Sequence, residues 1–133
     1  MDKTTRYIKM CKEAKEIQAE RVEGLGIRRL RPDDFVAGNF GENLKTYICE
    51  DISRYWIIRD ELIWLPRQDQ LQELLYGHIQ QDYGVIADMY DFTKENLEYV
   101  KQFRSLEQLW LAFVMKIKYN KIWDDKKEEW IIK

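Results

Sequence analysis

The strongest constraint on the fold is a helix with almost no polar face, which the sequence predicts over residues 106–119. Ser105, followed three positions later by Gln108, fits a capping box at the start of this helix. Such a helix is either enclosed in the middle of the fold or shared with a second subunit. We favour the enclosed position, and with it a monomer over a homodimer. An apolar stripe at three- and four-residue steps runs through Leu106, Leu109, Trp110, Phe113, Val114 and Ile117, widened by Leu111, Ala112 and Met115.

The length and composition predict one domain over residues 1–133. Apolar residues make up 45% of the chain and aromatic residues 14%. A chain of this size can bury enough apolar surface to offset the entropy of folding without disulfides or a metal. No internal repeat, low-complexity tract or Pro/Gly/Ser linker divides it.

The N-terminal segment predicts an amphipathic helix over residues 5–22, ended by Gly24 and Gly26. Its apolar residues recur at helical spacing, at Tyr7, Met10, Cys11, Ala14 and Ile17.

Short β-prone runs follow at residues 35–37, 44–49 and 55–58. Residues 38–41 contain two glycines and are interpreted as the hairpin connection between the first two strands. We expect the three strands to form a small antiparallel meander.

The stretch WLPRQDQLQELL, residues 64–75, predicts another helix that begins near Pro66, because proline is tolerated in a first helical turn. One face carries Leu71, Leu74, Leu75 and His78. We interpret the glutamines at the border of that face as boundary residues. The alternative is a surface that docks a partner through hydrogen bonds from Arg67, Gln68, Gln70 and Gln72.

A further helix is predicted over residues 93–104, with Thr93 as its N-cap and Leu97, Val100 and Phe103 facing inward. Residues 83–90 are too short and ambiguous to assign. The predicted fold class is therefore α+β, with about four helices packed on a small antiparallel sheet and helix 106–119 at the centre.

The sequence offers no catalytic, cofactor-binding or metal-binding set. His78 is the only histidine, and Asp82, four positions later, is its single candidate co-ligand for a metal. No glycine-rich phosphate loop is present. Cys11 and Cys49 lack a CxxC spacing, and no signal peptide or long apolar run is found, so we expect a cytoplasmic protein.

Binding to nucleic acid would need a local basic patch, because 22 basic and 24 acidic residues leave a net charge of −2. Arg28, Arg29 and Arg31 form one such cluster beside a proline. Lysines between residues 116 and 127 form a second, interleaved with Tyr119 and Trp123, whose rings could stack on bases. Neighbouring carboxylates would cancel much of the positive electrostatic field of this second cluster, at Asp124, Asp125, Glu128 and Glu129.

Three blocks, WLPRQDQLQELL, EQLWLAFVMKIKYNKIW and YIKMCKEAKEIQ, resemble a family of small uncharacterised proteins encoded by phages and prophages of Gram-positive bacteria. The resemblance implies a prophage-type origin and a bacterial cytoplasm, with no assigned activity and no functional residues to carry over. In the family a glycine turn follows the final Lys-x-Trp, whereas Asp124 follows Trp123 here. The sequence therefore does not decide whether a closing hairpin forms between Trp123 and Trp130.

These observations predict a non-catalytic accessory or adaptor protein that acts through contacts with a phage or host protein. The missing catalytic set supports this prediction, as does the abundance of Trp, Tyr and Arg, which often anchor interfaces. The alternative is a nucleic-acid-binding module that uses the Arg28, Arg29 and Arg31 cluster. A small metal-dependent enzyme is a third hypothesis.

Overall fold

The computed structural model describes residues 1–21, 31–40, 43–48, 62–76 and 82–132. In these ranges the chain forms six helices and five strands. The helices are α1 (Thr5–Glu13), α2 (Lys15–Arg21), α3 (Gln68–Glu73), α4 (Asp82–Glu95), α5 (Leu97–Val100) and α6 (Leu106–Tyr119). The strands are β1 (Phe35–Phe40), β2 (Asn43–Ile48), β3 (Leu62–Leu65), β4 (Lys121–Asp124) and β5 (Glu129–Ile132). The α+β class is confirmed, with six described helices instead of the four predicted.

The contacts divide the chain into two compact units. The N-terminal unit is Lys3–Pro66, and the C-terminal unit is Arg67–Lys133 together with Met1–Asp2. The single domain expected over residues 1–133 stays a prediction.

In the N-terminal unit the predicted long helix is interrupted at Ala14, whose φ of −81° and ψ of 71° leave the helical region. Its N–H still donates to the carbonyl oxygens of Met10 and Cys11. The side chain of Gln18 also donates to the Cys11 carbonyl, over 3.1 Å, and so helps to satisfy a group at the end of α1. The predicted apolar face is confirmed, since none of its five members has any exposed surface. Gly24 and Gly26 lie outside the described residues.

The sheet of the N-terminal unit is antiparallel with the order β2-β1-β3. β1 runs to Phe40, so residues 38–40 belong to the strand and not to the predicted connection. The predicted third strand at residues 55–58 lies outside the described residues. The described third strand is β3, which pairs with β1, so these three strands do not follow the expected meander order. β3 (Leu62–Leu65) is largely buried, and it pairs with the centre of β1, which is also buried.

In the C-terminal unit α6 has the predicted bounds, with Ser105 as its N-cap. The Ser105 hydroxyl accepts a hydrogen bond from Gln108 N at 3.1 Å and donates one to the Asp2 carboxylate. The Gln108 side chain accepts from Arg104 N at 3.0 Å, instead of from Ser105 N as a capping box requires. Residues 110–115 are all buried, whereas Leu106 and Ile117 are exposed, so the burial predicted for this helix holds for its middle and not for its ends.

Of the helix predicted over residues 93–104, only the short α5 (Leu97–Val100) is a separate helix, and the predicted N-cap is wrong. Thr93 lies in the last turns of α4, where its hydroxyl donates to the Met89 carbonyl at 2.8 Å, and Leu97 is 53% exposed. The buried line of α4 consists of Val85, Met89 and Phe92, and the Phe92 ring lies 5.2 Å from that of Phe113. Packing against α6 therefore favours a helix in α4, although the sequence pattern left residues 83–90 unassigned.

The C-terminal hairpin, left open by the sequence, is present. Trp123 and Trp130 face each other across β4 and β5, with ring centroids 5.1 Å apart in an edge-to-face arrangement. Asp124 stabilises a turn that contains no glycine, because its carboxylate accepts from the N–H groups of Lys126 and Lys127 at 3.0 and 3.1 Å. Glu128 completes the turn in the left-handed region, at a φ of 52°.

Candidate functional site

The predicted docking residues at the start of α3 do not form one exposed surface. Gln70 is only 3% exposed, and its side-chain oxygen accepts from Arg67 N at 2.9 Å. This hydrogen bond satisfies a backbone N–H at the N-terminus of α3, which has no partner within the helix. Gln68 and Gln72 are half-buried, and the Arg67 guanidinium contacts the Asp69 carboxylate at 3.1 Å. The glutamines were predicted at a boundary, and Gln70 instead belongs to the interior.

The leucine face of the same helix is placed largely as predicted. Leu71 and Leu75 have no exposed surface, and Leu74 is half-buried. The fourth member of that face, His78, lies outside the described residues.

The structure describes only one member of the predicted arginine cluster. Arg31 is exposed and begins a turn in which its N–H donates to the Asp34 carboxylate at 2.8 Å and its carbonyl accepts from Asp34 N at 3.0 Å. Arg28 and Arg29 lie outside the described residues. The proposed phosphate contacts of the cluster therefore stay a prediction.

The second basic cluster is dispersed over a helix end and a hairpin. The Lys116 ammonium donates to the Asn120 side chain at 2.8 Å, and that of Lys118 lies 5.5 Å from the centre of the Tyr119 ring. Trp123 is only 3% exposed because it packs against Trp130. Its ring is therefore not placed to stack on a base, which corrects that element of the nucleic-acid hypothesis.

Titratable groups do not converge on a metal site in the described parts of the chain, where no group of three His, Cys, Asp or Glu side chains has suitable geometry. Burial raises the pKa of the Tyr99 phenol to about 12, although a hydrogen bond from Trp123 N opposes the rise. The Tyr99 hydroxyl accepts from Trp123 N at 2.8 Å. This phenol holds β4 in place and is kept neutral by its surroundings.

The most distinctive surface lies on α4, in a segment that the sequence did not assign. Ile86 and Tyr90 are 64% and 66% exposed. Because they are four residues apart on one helix, their side chains are neighbours. We call this pair the α4 flank. Its position could have been found from the helical spacing of Val85, Met89 and Phe92, which marks the buried line beside it.

The exposed charged residues of α4 are unevenly distributed around the helix. At roughly 100° per residue, the α4 flank lies next to the buried line, so the exposed apolar surface continues that of the core. The exposed carboxylates lie on the opposite side of the helix, at Asp88, Asp91 and Glu95. Lys94 is the exposed charged residue nearest to Tyr90 on this projection.

The two ends of α6 add further exposed apolar side chains to the C-terminal unit. Leu106 is 58% and Ile117 is 42% exposed, although both belong to the predicted buried stripe. They are eleven residues apart, close to three turns, and so lie on the same line of the helix as Trp110 and Phe113. Aromatic packing covers the middle of that line, whereas its two ends remain accessible.

No family model, curated protein or solved structure matches this chain. The phage and prophage origin therefore rests on the three sequence blocks and stays a prediction. None of the helices in the described ranges is long and apolar enough to cross a membrane.

Proposed function

We propose that this chain is a non-catalytic accessory or adaptor protein of phage or prophage origin that binds a partner protein through the α4 flank. The observation that carries the proposal is the exposure of Ile86 and Tyr90, side by side on a helix that buries Val85, Met89 and Phe92. The proposal assigns no catalytic residue, cofactor or metal ligand.

The energetics favour burial of this pair in a complex. Fully burying an isoleucine side chain is favourable by about 1.5–3 kcal/mol before the costs of association are subtracted. Tyrosine is also enriched among the residues that dominate binding energy. The helix is fixed by Val85, Met89 and Phe92, so the α4 flank is already ordered before a partner arrives.

The α4 flank alone is smaller than a stable protein interface. Two partly exposed side chains offer a few hundred Å² at most, whereas a stable interface buries about 800 Å² on each partner. A partner would therefore also contact residues beside the flank. Among the charged residues of α4 whose exposure is described, Lys94 is the nearest to Tyr90, and a carboxylate of the partner would complement it.

The experiment compares the parent chain with an Ile86→Ser, Tyr90→Ser double variant. Proteins retained from the bacterial host by the parent are identified, purified and titrated against both forms. We expect the double variant to bind at least about tenfold more weakly, which corresponds to about 1.4 kcal/mol. Circular dichroism and thermal melting confirm that the variant is folded.

A matched control changes the opposite side of the same helix, with Asp88→Asn and Glu95→Gln. Both residues are exposed, so the control alters the surface of α4 without touching the flank. Its affinity should remain within twofold of the parent. Equal affinities of the parent and the flank variant would overturn the assignment of the α4 flank, and a parent that retains no protein would overturn the adaptor function.

A further inference from the structure

We draw no further inference here: the strongest candidate, the exposed apolar flank of α4, already belongs to the surface proposed for the partner, and nothing in the described part of the structure shows what else would cover it.

Discussion

The side-chain amide of Gln18 binds the backbone of Trp64 in the way that a neighbouring strand would. Its oxygen accepts from Trp64 N at 2.8 Å, and its nitrogen donates to Trp64 O at 2.9 Å. β3 pairs with β1 along one edge, and Gln18 satisfies a residue on the other. Both residues are buried, so neither backbone group of Trp64 could form a hydrogen bond to water instead.

We predict that Gln18→Ala destabilises the chain strongly. The substitution leaves a buried N–H and a buried C=O without their partner, at a cost of about 1–3 kcal/mol for each group. Chemical denaturation measures the free energy of unfolding of both forms. A loss below about 0.5 kcal/mol, typical of a neutral surface change, would show that the Gln18 amide is dispensable.

Gln18→Glu keeps nearly the same side-chain shape and the hydrogen-bond acceptor, but it removes the donor. The ionised carboxylate still accepts from Trp64 N, but it faces the carbonyl oxygens of Cys11 and Trp64 without a proton to donate. Burial and these oxygens should raise the pKa of the carboxyl in the folded state. Stability relative to the parent is therefore highest below the unfolded pKa and is lost as pH rises through the folded pKa. A stability difference that is independent of pH would contradict the hydrogen-bonding pattern.

Phe113→Ala and Trp110→Ala should each cost about 3–5 kcal/mol, because both residues lie in the buried middle of α6 and their removal leaves a cavity. Leu106→Ala is the matched control, since this member of the same stripe is exposed, and it should cost far less. Thermal and chemical denaturation give the comparison. A Phe113→Ala protein that melts within a couple of degrees of the parent would place the core elsewhere.

The stability of the chain should fall in alkali through Tyr99. Its pKa is raised from 10.0 to about 12, so the folded state retains the phenolic proton more strongly than the unfolded state. The resulting stability is fully present below pH 10 and is lost as pH rises toward about 12. Denaturation at a series of pH values should show this loss, and Tyr99→Phe should reduce it. Identical alkaline profiles would exclude Tyr99 as the source.

Glu128→Gly should stabilise the hairpin by about 0.5–1 kcal/mol. Glu128 has a φ of 52°, a conformation that costs a residue with a Cβ about 1–2 kcal/mol, part of which the greater chain entropy of glycine offsets. Asn120→Gly is the control, because Asn120 has a similar φ of 53° but asparagine tolerates it more readily. The two variants are compared by thermal melting. No gain in stability from Glu128→Gly would show that Glu128 is not under strain.

The nucleic-acid hypothesis predicts that alanine at Arg28, Arg29 and Arg31 weakens binding to DNA or RNA. The slope of log affinity against log salt should also flatten by about one unit for each lost phosphate contact. Lys15→Ala, at an exposed position on α2 outside both basic clusters, is the control. Binding that is unchanged across the triple variant would exclude this cluster as the site.

The sequence by itself determined the elements whose signals are local. The bounds of α6 follow from the Ser105 cap and from apolar residues at helical spacing, all within one short segment. The buried face of α1 and α2 was predicted for the same reason. Capping and periodicity act over three or four residues, so they can be read without knowing the rest of the fold.

Tertiary structure decided the features whose partners are distant in the chain. The Gln18 amide acquires its role from Trp64, 46 positions away, and the buried line of α4 is defined by the contact of Phe92 with Phe113. The candidate site combines both classes, because helical spacing on α4 indicates an apolar face in the sequence, whereas the exposure of Ile86 follows only once that face is packed. Periodicity identifies an apolar face, but which part of that face is covered depends on packing between segments that the local sequence does not specify.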